Sequence, residues 1–404
     1  MKNTLAIIVF SLLSLVLKAQ NADRIKISID KKSKGDITFL TRIRKDSTVK
    51  KGTIFKVKAA SKSGKVLDAL FLSYPGMWGT MYTESMTDTF SFKADKDISI
   101  GTSYIDSSAV AHINVKQNIV YATPGVKPLK YDVFSPKGAR NLPIIIIIHG
   151  GGWSSNTEDV MRGLARELTR SQKFVVFSLD YRWLGNLDGD KTPNKMHHLM
   201  EDIFGGIVHI KENAHKYGAD GSRIFLTGDS AGGHLSATGS LMIEKLGDRG
   251  FGKKPGVFEL MPSYMPKDTS IEQVRVSLLN SIKAAAPSYG AFRNVTMQDF
   301  VQDGPEYLNE VSPINDIPEI SKRAIPQFLL RGTKDPIIPN EEVSDFMNAL
   351  ITKDQRVEYI QIGSASHAFF DWKPDDATKK TFAKYGVYYA QRMEAFFLDI
   401  LNVN

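Results

Sequence analysis

A run of five isoleucines, residues 144–148, constrains the fold of this chain more than any other feature of its sequence. β-branched side chains favour strands, and a run without polar members indicates a strand that is buried on both faces. The glycine-rich segment HGGGW, residues 149–153, follows at once and marks backbone that turns sharply or is closely approached. The sequence therefore predicts a central strand that lies between two covering layers and ends in a tight loop.

Strand and helix patterns alternate from about residue 107 onwards. The other predicted strands are QNIVYAT, LKYDVFSP, KFVVFSLDYR, RIFLTGD, SIKAAAPSYG, IPQFLLRG and RVEYIQIG. The predicted helices cover residues 158–171, 194–217, 231–245 and 381–401, and Gly218 suits the end of the second. This alternation predicts an α/β domain over residues 107–404 whose doubly wound sheet is mostly parallel.

Residues 21–106 show a period of two instead. The segments DITFLTRIR, TIFKVKAA and TFSFKA alternate apolar and polar side chains, as in Ile37, Phe39, Thr41 and Ile43. Short turns separate them, which predicts a small antiparallel β domain. The segment resembles small β-grasp-type repeat modules of secreted bacterial proteins. A spacer or stabilising role and a glycan- or surface-binding role are equally compatible with the sequence.

The first 20 residues predict a signal peptide. They combine a lysine, an apolar run from Leu5 to Leu17 and the small Ala19. We expect export to the periplasm or beyond it, and no stable membrane insertion after cleavage; an uncleaved anchor is the alternative. The absence of cysteine excludes disulfides, thiolate metal sites, a cysteine nucleophile and a lipoprotein attachment point.

Composition and charge exclude several other classes of protein. With 42% hydrophobic and 24% charged residues, the chain is neither disordered nor fibrous. Its 52 basic and 44 acidic residues give a net charge of +8 but are interspersed. Because there is no long basic run and no basic patch with interleaved aromatic residues, we expect no nucleic-acid partner.

The segment GDSAGG, residues 228–233, fits the G-x-S-x-G pattern between a predicted strand and a predicted helix. A serine exposed on such a strained turn needs small neighbours two residues to either side, so Ser230 is the candidate nucleophile. The upstream HGGGW also follows a buried strand. A glycine run in that place lets backbone N–H groups point into a cavity, where they could hold an oxyanion.

A serine nucleophile needs a base within hydrogen-bond reach. The chain has eight histidines, and in this arrangement the base follows the serine in the sequence, which leaves His234 and His367. His234 lies one helical turn beyond the serine and would point away from it, whereas His367 lies in the loop GSASHAFF. Among the many acids between Ser230 and His367, Asp335 follows a predicted strand at the edge where ligands of such sheets bind. We expect Glu341, Glu342 and Asp345 to be solvated surface residues.

These motifs, with DYRW and LLRGTKDPIIP, resemble α/β-hydrolase esterases of the hormone-sensitive-lipase and acetyl-xylan or feruloyl esterase type. The resemblance implies Ser230 as nucleophile, His367 as base and Asp335 as its orienting acid, with no metal or cofactor. It also implies that the N–H groups of Gly151, Gly152 and Ala231 hold the oxyanion. Asp180, Tyr181 and Asp202 would be structural.

The expected activity is that of a serine carboxylesterase on short acyl or aromatic esters, including those attached to plant polysaccharide. An amidase or peptidase on the same scaffold and a non-catalytic binding protein remain open alternatives. A long-chain lipase is disfavoured, since no extended apolar lid helix is evident. The insertion at residues 247–282, which contains Phe258, Met261, Tyr264 and Met265, fits either a lid or acyl pocket or ordinary surface packing.

Overall fold

The computed structural model of the chain describes residues 24–43, 46–76, 79–247 and 259–403. It divides into two compact units, Met1–Ala109 and Val110–Asn404. The predicted signal peptide, residues 1–20, lies outside the described residues, as do residues 248–258 of the insertion. None of the described helices is both long and apolar enough to cross a membrane.

The described part of the first unit is built from strands. They are β1 (Arg24–Ile29), β2 (Ile37–Phe39), β3 (Thr48–Lys50), β4 (Ile54–Ala59), β5 (Lys65–Gly76), β6 (Gly79–Ser85), β7 (Thr89–Lys93) and β8 (Ile98–Asp106). One sheet has the order β3-β1-β8-β5-β6 and the other the order β2-β4-β7. All pairs are antiparallel except β1 with β8, which run parallel.

The core of this unit follows from the period of two. Alternate residues of β4, including Phe55 and Val57, are buried and share one apolar cluster with Ile27 and Leu72 of the larger sheet. Strand β2 ends at Phe39, so the alternation predicted to continue to residue 43 is not used as a strand. A long-range parallel pair such as β1 with β8 leaves no local signal, which is why only antiparallel pairing was expected.

The second unit contains an eight-stranded sheet. Its strands are β9 (Ile113–Ala122), β10 (Leu129–Pro136), β11 (Leu142–Ile148), β12 (Val175–Leu179), β13 (Ala219–Asp229), β14 (Ile282–Ser288), β15 (Gln327–Gly332) and β16 (Val357–Ile362). The order is β16-β15-β14-β13-β11-β12-β10-β9. Strands β11 to β16 are parallel to one another, and β9 and β10 add an antiparallel edge. The mostly parallel sheet predicted from the sequence is confirmed.

Helices connect these strands. They are α1 (Arg162–Thr169), α2 (Met196–Asn213), α3 (Ala231–Leu241), α4 (Ile271–Ser281), α5 (Asn294–Met297), α6 (Pro305–Glu310), α7 (Asn340–Thr352), α8 (Asp376–Thr381) and α9 (Val387–Val403). Helix α2 continues into a 3-10 turn that ends at Gly218, whose φ of 72° is left-handed, as its glycine suggests. A π turn, Phe382–Gly386, joins α8 to α9, so the last helical segment begins earlier than predicted.

The isoleucine run is the central strand that its composition indicates. Its five residues are fully buried, and strand β11 pairs in parallel with β12 on one side and β13 on the other. Because β11, β13, β15 and β16 run the same way, the loops that follow them meet at one edge of the sheet. That edge receives the glycine-rich loop, Ser230, Asp335 and His367.

Candidate active site

Ser230 stands in a tight turn between strand β13 and helix α3. Its backbone angles, φ 52° and ψ −115°, belong to a region that non-glycine residues rarely adopt. A Cβ atom at Gly228 would overlap the carbonyl oxygen of Gly232, and one at Gly232 would overlap that of Ile148. The two glycines therefore allow the strand, the turn and the helix to pack this closely, while the Ser230 amide donates to Ser288 O at 3.0 Å.

Asp335 and His367 are joined by a hydrogen bond. His367 Nδ1 lies 2.8 Å from Asp335 Oδ2, and the amides of Ile337 and Ile338 donate to Asp335 Oδ1 at 2.9 and 3.0 Å. Burial alone would raise the pKa of Asp335, but the bond from His367 and the two amides lower it below its ordinary value. The carboxylate stays ionised and accepts from Nδ1, which leaves Nε2 of His367 to accept a proton.

Two consecutive residues at the end of strand β14 contact the serine turn and the loop that carries His367. Tyr289 directly follows Ser288, the residue whose carbonyl accepts the Ser230 amide, and its ring centre lies 4.8 Å from that of His367. The turn of Ser230 and the Asp335–His367 pair therefore both lie beside the carboxyl end of strand β14. The described residues record no hydrogen bond between Ser230 Oγ and His367, and such bonds are often long in enzymes without substrate.

The glycine-rich loop presents amides beside the serine turn. Gly151 and Gly152 have φ angles of 119° and 60°, which suit glycine. The Gly151 carbonyl accepts from Ser154 N at 3.1 Å and from Ser155 Oγ at 2.8 Å, which fixes the turn. Within the described residues, the N–H groups of Gly151 and Gly152 have no acceptor. The N–H of Ala231 opens helix α3, where first-turn amides have no partner in the helix.

A buried layer supports this loop from below. His149 Nε2 lies 3.2 Å from Asp180 Oδ1, which also accepts from Lys127 Nζ at 2.8 Å. The Tyr181 hydroxyl donates to His149 O at 2.9 Å, and its ring stacks on the imidazole at 4.2 Å. Burial would raise the pKa of Asp180, but Lys127 and His149 hold it below its ordinary value. Asp180 and Tyr181 therefore hold His149 at the start of the glycine-rich loop, while Asp202 is buried and accepts hydrogen bonds from Arg182.

Comparison with known protein families identifies the family to which this chain belongs. A sequence profile of the BD-FAE family matches residues 131–350, more than half of the chain, including the serine turn and Asp335. The chain belongs to the BD-FAE family. This is an α/β-hydrolase esterase family, so the resemblance drawn from the sequence motifs is confirmed.

Curated relatives of this BD-FAE chain include Esterase LipQ and Carboxylesterase NlhH of Mycobacterium tuberculosis. LipQ is 26% identical over 252 residues, which cover 57% of this chain and 51% of LipQ. NlhH is 32% identical over 139 residues, which cover 34% of this chain and 40% of NlhH. The chain therefore spans about half the length or less of these two relatives.

Solved structures confirm the α/β-hydrolase fold of this BD-FAE chain. A carbohydrate esterase from gut microbiota, in truncated form, aligns with a TM-score of 0.52 at 18% identity and covers 71% of this chain and 96% of its own. An esterase of Pyrobaculum calidifontis gives a TM-score of 0.52 at 18% identity, with 73% and 88% covered. At these identities the likeness concerns the fold alone.

The sequence did not reveal which segment of this BD-FAE chain lies against the serine turn. In the described part of the 247–282 insertion, the segment around Ser263 packs on helix α2: Ser263 N donates to Glu201 O at 3.0 Å, and the Tyr264 hydroxyl donates to Glu212. These contacts are those of surface packing. Among the described residues, the β14–β15 connection, residues 289–326, contacts the helix that follows Ser230, and it contains helices α5 and α6.

His234 and Trp153 link that connection to the glycine-rich loop. Trp153 Nε1 donates to His234 Nδ1 at 3.3 Å, while His234 Nε2 donates to Val311 O at 2.8 Å. Burial lowers the pKa of His234 to about 4, so the imidazole is neutral at physiological pH. His234 is thus engaged at both nitrogens, and the Trp153 ring also contacts Phe300 at 5.9 Å between ring centres.

The expectation that Glu342 is a solvated residue is wrong. Its carboxylate is fully buried and accepts from Phe292 N at 2.5 Å, Arg293 N at 2.8 Å, Arg293 Nε at 2.8 Å and Thr296 Oγ1 at 2.6 Å. Glu341 is exposed, as expected, and Asp345 is half-exposed in an ion pair with Arg293. Glu342 therefore anchors the start of the β14–β15 connection to helix α7.

Proposed function

We propose that this chain is a serine carboxylesterase that hydrolyses short acyl or aromatic esters through an acyl-enzyme on Ser230. The observation that carries the proposal is the His367–Asp335 hydrogen bond, formed at the sheet edge that also holds the serine turn and the glycine-rich loop. Curated relatives named esterases and carboxylesterases support hydrolysis of a carboxylic ester. Among the described residues, no group of three or more His, Cys, Asp or Glu is arranged to hold a metal ion.

The reaction follows from the positions of these groups. Ser230 Oγ attacks the ester carbonyl carbon while His367 Nε2 takes its proton, and Asp335 stabilises the imidazolium. The N–H groups of Gly151, Gly152 and Ala231 donate to the oxyanion, and each such donor is worth about 3 kcal/mol of barrier. The carbon–oxygen bond to the alcohol then breaks as His367 returns the proton to the leaving oxygen.

The second half repeats these roles with water. A water molecule gives a proton to His367 and attacks the acyl carbon, after which the carbon–oxygen bond to Ser230 breaks. The proton returns to the serine, and the carboxylic acid leaves. Each step thus uses the same oxyanion donors and the same base.

For the natural substrate, we propose acyl or aromatic esters attached to plant polysaccharide, met after export to the periplasm or beyond. The predicted signal peptide and the separate β unit support this setting. A structural neighbour with the same fold is a carbohydrate esterase. We propose that the first unit is an accessory domain, which is not needed for the hydrolysis of small esters.

The test is hydrolysis of p-nitrophenyl acetate, butyrate, octanoate and palmitate by the wild-type chain and by Ser230→Ala. We expect turnover on the short chains and a fall in kcat of at least roughly 10³-fold in the variant, which lacks the nucleophile. The melting temperature should stay nearly unchanged, because only one hydroxyl is lost.

Each other outcome has a distinct meaning. Retained activity in Ser230→Ala would remove Ser230 as the nucleophile. Turnover of the matching p-nitroanilides but not of the esters would indicate an amidase or peptidase. Binding of an acylated oligosaccharide without any turnover would indicate a scaffold that recognises its ligand but does not react.

A further inference from the structure

Asp229, the residue directly before Ser230, connects two of the loops that form the site. Its side chain is buried, and its Oδ1 accepts from Gly150 N at 2.6 Å. Gly150 precedes Gly151 and Gly152, so this bond fixes the start of the glycine-rich loop. A Cβ atom at Gly150 would come within 2.5 Å of Asp229 Oδ2, so the loop and the carboxyl touch closely.

A second buried acid, which belongs to the segment that follows His367, lies next to Asp229. Asp371 lies four residues after His367, and its carboxyl is within hydrogen-bond reach of that of Asp229. Asp371 Oδ2 is 3.0 Å from Lys373 Nζ, but Asp371 Oδ1 receives no hydrogen bond among the described residues. A proton on Asp229 would give this oxygen its missing donor. The Trp372 amide donates to Val160 O at 2.9 Å and holds the segment in place.

The groups around the pair favour one proton rather than none. Burial and the neighbouring Asp371 raise the pKa of Asp229 well above its ordinary value, while the Gly150 amide and Lys373 lower it. Three phenols also lie near Asp229, those of Tyr181, Tyr289 and Tyr389, and their own raised pKa values keep them neutral. Two adjacent carboxyls of this kind cannot both ionise without strong repulsion.

We propose that Asp229 and Asp371 share one proton and are positioning residues that hold the glycine-rich loop, the serine turn and the loop of His367 in one arrangement. This inference rests on the proposed function, since it concerns how that site is kept in register. Neither carboxyl touches the reacting ester. Each acts through a neighbour: Asp229 through Gly150 and Ser230, and Asp371 through the loop of His367.

The shared proton makes activity depend on pH in a stated direction. Because the folded chain holds this proton above the pH at which an unfolded aspartate loses it, the proton's stabilising effect weakens as pH rises through the raised pKa. Loss of the proton leaves two buried anions side by side, which push the three loops apart. We therefore expect both kcat/KM and the free energy of unfolding to fall on the alkaline side.

The test compares Asp371→Asn and Asp371→Leu in the full chain. An asparagine amide can donate to an ionised Asp229 without a shared proton, so Asp371→Asn should keep kcat within about threefold of wild type and lose the alkaline limb. Leucine offers no donor, so Asp371→Leu should lower kcat about tenfold or more, with KM little changed. The readout is kcat/KM for p-nitrophenyl acetate as a function of pH.

Asp375→Ala is the matched control in the same segment. Asp375 caps helix α8 by accepting from Thr378 N at 2.8 Å, and it takes no part in the pair. Its loss should lower the melting temperature slightly, because a helix cap is removed, without changing the alkaline limb. A merely structural role for Asp371 would make Asp371→Asn behave like this control.

Difference infrared spectra test the proton independently of turnover. The wild-type chain and Ser230→Ala should both show the carbonyl band of this protonated carboxyl at neutral pH, and Asp371→Asn should lack it. A failed esterase assay with this band present would overturn the proposed function and leave the shared proton standing. A spectrum unchanged by Asp371→Asn, or a variant that retains the wild-type alkaline limb, would overturn the shared proton.

Discussion

In the proposed mechanism, Asp335 acts by orienting the ring of His367. It accepts from His367 Nδ1 at 2.8 Å and from two backbone amides of its own turn. In Asp335→Asn, the amide group can present an N–H to Nδ1 and favour the wrong tautomer of the imidazole. We expect kcat for p-nitrophenyl acetate to fall by roughly 10³ to 10⁴-fold, as for other triads that lose this acid.

Asp345→Asn provides the isosteric control for that change. Asp345 is a half-exposed residue of helix α7 that pairs with Arg293 and takes no part in the bond between Asp335 and His367. Exposed ion pairs contribute about 1 kcal/mol or less, so the control should keep its rate. A near-normal kcat in Asp335→Asn would show that another acid orients His367.

At the scale of elements, Glu342 determines how the β14–β15 connection is held. Its buried carboxylate accepts bonds from two backbone amides and two side chains of residues 292–296. Replacement by leucine of similar volume leaves these donors without an acceptor. We expect Glu342→Leu to lower the free energy of unfolding by about 3 kcal/mol, measured by urea denaturation.

The neighbouring acid tests whether burial is the cause. Glu341 is exposed on the same helix, so Glu341→Leu should change the free energy of unfolding by less than about 0.5 kcal/mol. Equal effects of the two substitutions would mean that the buried bonds of Glu342 contribute little to stability.

Some elements of this structure can be predicted from sequence patterns, and others cannot. Buried parallel strands are readable because their signal is local, as in the isoleucine run, and Ser230 and His367 stand out through glycine spacing and chain order. Glu342 and Asp371 carry no comparable signal, since each is an acid beside apolar residues and its burial depends on segments distant in the chain. The parallel pairing of β1 with β8 is hidden for the same reason.

At the scale of the whole molecule, the two units have separate cores. The apolar cluster of the first unit is drawn from residues 25–100, whereas the expected triad lies in the second. A chain that begins at Val110 should therefore fold and hydrolyse p-nitrophenyl acetate with kcat/KM within about threefold of the full chain. The measurement is steady-state kinetics beside a melting curve of each chain.

The outcome also bears on the accessory role of the first unit. Normal turnover of the small ester together with weaker hydrolysis of an acetylated polysaccharide would assign the first unit to substrate recognition. Failure of the shortened chain to fold would instead make the first unit part of the structural core.

The direction of the parallel strands has a practical consequence for handling the enzyme on a support. Strand β10 runs against its neighbours, so Lys137, which follows it, lies at the sheet edge opposite Ser230, and Lys216, just before strand β13, lies at that edge too. The length of strand β13, roughly 30 Å, separates this edge from the serine turn. Amine coupling through these lysines would attach the molecule to the support by the sheet edge opposite the proposed active site, and the serine turn would stay open to substrate.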